Sequence, residues 1–276
     1  MTVLILGARG KIAQLVATGL QTAGTPVRLA GRAGRPAPDG VLEYDPANPA
    51  PVLDGVNQVF LYADPSHAEA FVTAAESAGV KQVVLLSSAA SQDGTADAAT
   101  DPHGAAEAIL ATGSFATTFL QPGAFMTNAL YWAYPIRATG EVRMPYLDAE
   151  EAPIHERDIA DVAVEVLRAG PGGPHDGQGY ELAGPESMTR RRQIELIAEI
   201  TGVPAKPVDL TPAEGRAELA KAFGDGPLLD SLMSYWSSRV GIPYPLNDRV
   251  ARLTGHPART YTDWLTEHAA SFSVGA

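Results

Sequence analysis

Short apolar runs alternate with stretches of helical spacing through the first half of the chain. Val3–Leu6 is a continuous apolar run that stops at Gly7. From Lys11 the apolar and small positions move to Ile12, Leu15, Val16, Gly19 and Leu20, the spacing of one helix face. This predicts a strand, a glycine turn and a helix. Val27–Ala30, Val41–Tyr44, Gln58–Tyr62, Lys81–Ser87 and Ala116–Leu120 read as further strands, with helices over about 66–78 and 104–111. Near-continuous apolar strands that alternate with helices belong to a parallel sheet covered on both faces. The predicted fold class is therefore α/β, doubly wound.

The second half is less regular. Phe125, Met126, Leu130, Tyr131 and Trp132 form an aromatic-rich stretch. Ile159, Val162, Ala163, Val166 and Leu167 line one face of a helix over 158–168, with Gly170 placed as its C-terminal cap. Gly179–Ala183 reads as a strand, and Thr189 caps a helix that ends at Thr201-Gly202. Thr211-Pro212-Ala213-Glu214 is a capping box with proline at the first helical position. A second helix beyond Gly224-Asp225-Gly226-Pro227 makes 211–240 a helical hairpin, and the Pro/Gly-rich Gly170–Gly179 is the expected hinge.

Composition narrows the chemistry. The chain has 276 residues, no cysteine and a net charge of −12. Acidic surfaces repel phosphate backbones and anionic lipid, so neither nucleic acid nor membrane is an expected partner. The absence of cysteine excludes thiolate nucleophiles and thiolate metal sites and fits a reducing cytoplasm. No stretch approaches the roughly 18 apolar residues of a spanning helix. The acidic total hides a basic start: Arg9, Lys11, Arg28, Arg32 and Arg35 against Asp39 give residues 1–40 a net +4.

That basic stretch holds the first motif, Gly7-Ala8-Arg9-Gly10-Lys11-Ile12-Ala13. Glycines let the backbone turn tightly and approach a pyrophosphate, and the helix start offers free N–H groups at the positive end of its dipole. Ile12 after Lys11 excludes a Walker loop. At the end of the second predicted strand an NAD site places an acid for the ribose hydroxyls, whereas arginine suits the 2′-phosphate of NADP. This chain has Arg32 and Arg35 there, with no acid before Asp39, and so points to NADPH/NADP.

With these residues in view the chain resembles the atypical short-chain dehydrogenase/reductases, in particular the NmrA-like NAD(P)H-binding family, which includes antibiotic-tailoring ketoreductases. The resemblance rests on Leu6-Gly7-Ala8-Arg9-Gly10, Leu85-Leu86-Ser87-Ser88, Leu120-Gln121-Pro122-Gly123-Ala124-Phe125-Met126-Thr127-Asn128, Arg157-Asp158-Ile159-Ala160-Asp161-Val162-Ala163 and Tyr180 through Thr189. Gly255-His256-Pro257 with Trp264 fits as well. The family implies a Rossmann-type domain, here 1–150 with 155–170 returning to it, and a smaller C-terminal substrate domain, here 171–276. The Gly-flanked, aromatic-rich hairpin is placed where a lid would be and is expected to act as one. The family also implies that Gly7, Arg9, Gly10, Lys11 and Ile12 hold the pyrophosphate, Arg32 and Arg35 the 2′-phosphate, and Asp45 the adenine edge. Tyr62, Ala63, Ser87, His103 and Pro122, Gly123, Ala124 and Phe125 would border the ribose and nicotinamide. Gln121 stands where the family usually has arginine.

The catalytic positions depart from the usual pattern. Active members of the wider group carry Tyr-x-x-x-Lys on the helix after the serine-ended strand. Counting back from Glu107 puts the lysine position at His103 and the tyrosine position at Ala99. The family's catalytic hydroxyl aligns with Ser88 or with Ala89. Ser87, Ser88 and His103 are thus the candidate proton-handling groups, and a phenol on the substrate is the alternative. The expected substrate is a bulky, aromatic or polyketide-like ketone contacted by Phe125, Tyr131, His155, Met233 and Trp236. Quinone or enone reduction, and a non-catalytic NADP(H) sensor, are the competing readings. His67, His175, His256 and His268 show no ligand spacing, so no metal site is expected.

Overall fold

The computed structural model describes residues 1–34, 39–93 and 101–273. In chain order they form β1 (Val3–Leu6), α1 (Lys11–Thr22), β2 (Val27–Arg32), β3 (Val41–Tyr44), α2 (Ala50–Leu53), β4 (Gln58–Tyr62), α3 (Ala68–Ala78), β5 (Gln82–Leu86), α4 (Pro102–Leu110) and β6 (Ala116–Pro122). They continue with α5 (Ala133–Thr139), β7 (Glu141–Met144), β8 (Glu150–Glu151), α6 (Glu156–Ala169), β9 (Gln178–Leu182), β10 (Met188–Thr189) and α7 (Arg190–Thr201). The last elements are β11 (Lys206–Asp209), α8 (Pro212–Phe223), α9 (Pro227–Ser238), α10 (Arg249–Thr254) and α11 (Tyr261–His268).

Seven strands make one sheet in the order β3-β2-β1-β4-β5-β6-β9, with every neighbouring pair parallel. β1 and β5 are buried at every residue and β4 at all but its last. Cover on both faces removes the in–out alternation, which is why these strands read as unbroken apolar runs. The glutamines that open β4 and β5 are buried against each other, with Gln58 Oε1 left without a hydrogen-bond partner among the described residues. Gln58 Nε2 donates to Gln82 Oε1 and to the Leu167 carbonyl, each at 2.6 Å. The strand order reverses between β1 and β4, the switch point of a doubly wound fold.

Chain contacts divide the molecule into two units, 1–123 with 156–182 and 249–256, and 124–155 with 183–248 and 257–276. The expected division put 1–150 and 155–170 in one domain and 171–276 in the other; the contacts instead place 124–150 in the second unit and 171–182 with 249–256 in the first. β9 pairs with β6 from Thr118–Gln178 to Pro122–Leu182 and so completes the first unit's sheet. Residues 124–155 instead bury Met126, Trp132 and Ile136 with Tyr261, Trp264 and Phe272 in the second unit's core. The Gly170–Gly179 segment lies inside the first unit and does not join the two. It is tied to β6, where the Gly177 amide donates to the Thr117 carbonyl (2.7 Å) and Thr118 Oγ1 to the His175 carbonyl (2.8 Å).

In the second unit β11 pairs with β7 and β10 with β8. Thr189 caps α7 by accepting from the Arg192 amide, and both halves of the Thr211–Glu214 capping box are formed at α8. Arg190 is buried among aromatic rings: its guanidinium lies 3.7 Å from the centre of the Trp236 ring and 5.9 Å from that of Trp132. Burial lowers its pKa to about 10, opposed by the Glu151 carboxylate, which accepts from Trp236 Nε1 at 3.2 Å. No helix among the described residues is long and apolar enough to cross a membrane.

Candidate functional site

The glycine turn is built around a tyrosine. Gly7, just past β1, has φ +73°, in the left-handed region, and Gly10 is the extended N-cap of α1 with no side-chain cap. A Cβ on Gly7 would come 2.7 Å from the Tyr62 ring, and one on Gly10 2.5 Å from the Tyr62 hydroxyl. That hydroxyl accepts from the Ala13 amide at 3.1 Å and so satisfies one of the open donors of the first helical turn. Burial raises the Tyr62 pKa and keeps the phenol neutral. The Lys11 and Ile12 amides are the remaining first-turn donors for an anion. The Ile12 side chain is buried, and the exposed Lys11 ammonium lies 3.9 Å from the buried Glu156 carboxylate.

A cavity of about 440 Å³ opens at the C-terminal ends of β1, β2 and β4, where a doubly wound sheet takes its ligand. Gly7, Gly10, Arg9, Arg32, Tyr62 and Ala63 all line it. The turn that only glycine fits, the open first-turn amides and the two arginines suit a dinucleotide and its phosphates. Arg9 Nη1 donates to the Arg32 carbonyl at 2.9 Å, and Arg32 Nη2 donates to Asp64 Oδ2 at 2.5 Å. The same Asp64 oxygen lies 2.9 Å from His67 Nδ1. Burial raises the pKa of Tyr44, and the neighbouring Arg32 opposes that rise. Arg35, the second expected 2′-phosphate group, lies outside the described residues. Asp45 serves its own loop: Oδ1 accepts from the Ala47 amide at 2.9 Å, and it is absent from the cavity lining.

The candidate proton-handling groups face different surroundings. Ser87 is buried at the end of β5, and its hydroxyl donates to Glu107 Oε1 on α4. Gln121 Nε2 donates to both Glu107 oxygens (3.0 and 3.1 Å), and Ser91 Oγ lies 2.8 Å from the first. Ser87 thus belongs to a closed polar knot. Ser88 Oγ accepts from the Ala90 amide at 3.2 Å, which leaves its own proton to donate. His103 is half-buried at the second position of α4, behind the Asp101 cap and Pro102. Ala99 lies outside the described residues.

Pro122 and Gly123 end β6 in the first unit, with the Gly123 amide donating to the Leu182 carbonyl at 3.0 Å. Ala124 and Phe125 open the second unit, where the Ala124 carbonyl accepts from the Ile154 amide at 2.8 Å. Of the expected substrate contacts, Tyr131 is exposed and meets Phe223 edge-on at 5.8 Å, while Phe125 and Met233 are half-buried. His155 is fully buried, 3.7 Å from Glu267 Oε2, and Trp236 is the core partner of Arg190. Neither presents a face to a ligand in this structure. Asp64 and Tyr44 line the cavity without having been expected there, and so does His67, a histidine without ligand spacing in the sequence. The signal for Asp64 was its place directly beyond β4, a strand at the switch point.

A glycine turn after the first strand, a cavity at the switch point and a cation closing the second strand together define a dinucleotide-binding protein of the Rossmann class. The chain belongs to the NAD(P)H-binding family, whose model matches residues 7–169. Among its relatives is a (4-alkanoyl-5-oxo-2,5-dihydrofuran-3-yl)methyl phosphate reductase of Streptomyces griseus subsp. griseus. It is 34% identical over 98% of this chain and 99% of its own length. An NAD(P)H azoreductase of Xenophilus azovorans is 30% identical over 99% of both. The fold is shared with the NADPH complex of the Escherichia coli quinone oxidoreductase QOR2 (TM-score 0.79, 22% identity, 96% of this chain and 99% of that one). It is also shared with the negative transcriptional regulator NmrA bound to NAD (TM-score 0.69, 15% identity, 96% and 94%).

Proposed function

We propose that this protein is an NADPH-dependent reductase that delivers hydride to the carbonyl carbon of a bulky, aromatic or polyketide-like ketone. The reading rests on Arg32: a cation closes β2 on the rim of the switch-point cavity, where an NAD site carries a carboxylate. Two relatives at 30% identity or above are named as reductases, which favours catalysis over a sensor role. Bound NADPH would supply the hydride. The chain supplies the rest: the Lys11 and Ile12 amides hold the pyrophosphate, and Arg32 with Arg35 holds the 2′-phosphate. Ser88 donates a hydrogen bond to the developing alkoxide and His103 relays the proton. Ser87, committed to Glu107, acts by positioning the end of β5.

A second reading, reduction of an enone, is favoured by the relative named for an alkanoyl group on an oxo-dihydrofuran ring. Stopped-flow oxidation of NADPH against a panel of aromatic ketones, enones and quinones, with product analysis, tests both. An alcohol product supports the ketone reading, and a saturated ketone the enone reading. Tight NADPH binding with no turnover of any compound would leave the sensor.

A further inference from the structure

The guanidinium read as the 2′-phosphate group already has an anionic partner. Arg32 Nη2 donates to Asp64 Oδ2 at 2.5 Å, and His67 Nδ1 lies 2.9 Å from the same oxygen. Arg32, Asp64 and His67 all line the cavity. Asp64 is the less exposed member of the pair, 24% against 58% for Arg32, so it is the better fixed of the two. Asp64 follows β4 and Arg32 ends β2, so the pair spans β1 across the mouth of the crevice.

Within the NADPH reading above, we infer that Asp64 sets the cofactor preference by competing with the 2′-phosphate for Arg32. A phosphate monoester carries between one and two negative charges at neutral pH. Brought to Arg32, it meets a guanidinium with one edge taken and a carboxylate a few ångströms away. Arginine has five donors, so it can bridge both anions, but the anions repel each other across it. NADH brings no such charge and meets neither penalty. Asp64 therefore narrows the gap between NADPH and NADH that Arg32 opens, and His67 limits the effect by sharing the carboxylate. The acid that an NAD site carries at the end of β2 is here supplied from β4.

Titration of NADPH and NADH by nicotinamide fluorescence on the full chain tests this. Asp64→Asn keeps the shape and removes the charge, and is expected to raise the NADPH-to-NADH affinity ratio about three- to tenfold. An unchanged or lower ratio would overturn the inference. Should that variant not fold, Asp64→Ser removes the same charge and carries the same expectation. Arg32→Ala separates this inference from the reading beneath it. If Arg32→Ala lowers the ratio and the Asp64 variants do not raise it, only the inference fails. If Arg32→Ala leaves the ratio unchanged, Arg32 does not read the phosphate and both fall.

Discussion

Tyr62 serves two parts of the site at once. Its ring covers Gly7 and Gly10, and its hydroxyl caps the Ala13 amide of a helix whose N-cap glycine has no side chain to offer. Tyr62→Phe should therefore cost about 1 kcal/mol in urea unfolding by leaving that amide without a partner. Gly10→Ala must push the phenol away from its place, and a loss of NADPH affinity of about tenfold or more by fluorescence titration is the expected result. Unchanged affinity would show that the turn tolerates a Cβ. That Gly7, Gly10, Arg32 and Tyr62 would meet around one cavity was legible because turns and strand ends at the switch point have chemical requirements that residue type reveals. His155 and Trp236 were not. A polar aromatic side chain reads as functional until its surroundings are known, and here His155 is buried 3.7 Å from a Glu267 oxygen and Trp236 against the Arg190 guanidinium. Gln121, legible only as a departure from arginine, proves to donate to Glu107 and Ser91.

At the scale of elements, the capping signal at Thr211–Glu214 translated into a reciprocal box at the start of α8, and Thr260–Asp263, which went unread, forms another at the start of α11. The threonine hydroxyls and amides hold the Glu214 and Asp263 carboxyls below their usual pKa. A carboxylate whose folded pKa is depressed stabilises above its unfolded pKa, and that contribution disappears as pH falls through the folded value. Protection factors at the first turns of α8 and α11, taken against the intrinsic exchange rate at each pH, should therefore fall on acidification below about pH 4, and the fall at α8 should be absent from Thr211→Val, which lacks the box at any pH. The hairpin of α8 and α9 buries only Gly215 and the pair Leu229 and Trp236. So lightly buried an element suits the proposed lid. Protection across 212–238 should rise when substrate joins NADPH, and equal protection would remove the lid.

For the whole molecule, the parallel sheet was legible strand by strand because buried strands announce themselves as apolar runs, and Val3–Leu6, Val41–Tyr44 and Gln58–Tyr62 match to the residue. The division into units was not, because it is set by partners distant in sequence. Nothing local in Gly179–Ala183 says that a late strand returns to β6, or that 124–155 buries its aromatic face with residues beyond 257. The charge pattern was legible as a sum. Of the four described cations among the first 40 residues, Arg9 and Arg32 line the cavity, while Lys11 opens α1 and Arg28 lies in β2.

The cation-and-indole stack has a practical side. The chain has three tryptophans, Trp132, Trp236 and Trp264, and all three fall in the second unit. Emission excited at the red edge of protein absorption is thus a one-sided optical label: it follows the second unit while the first contributes only tyrosine and phenylalanine. Trp236 sits on α9 with its ring over Arg190, so a swing of that helix would register as a change in colour or quenching of the emission. The protein carries its own dye for watching the hairpin, and filling of the glycine-lined cavity can be followed separately by the emission of the nicotinamide.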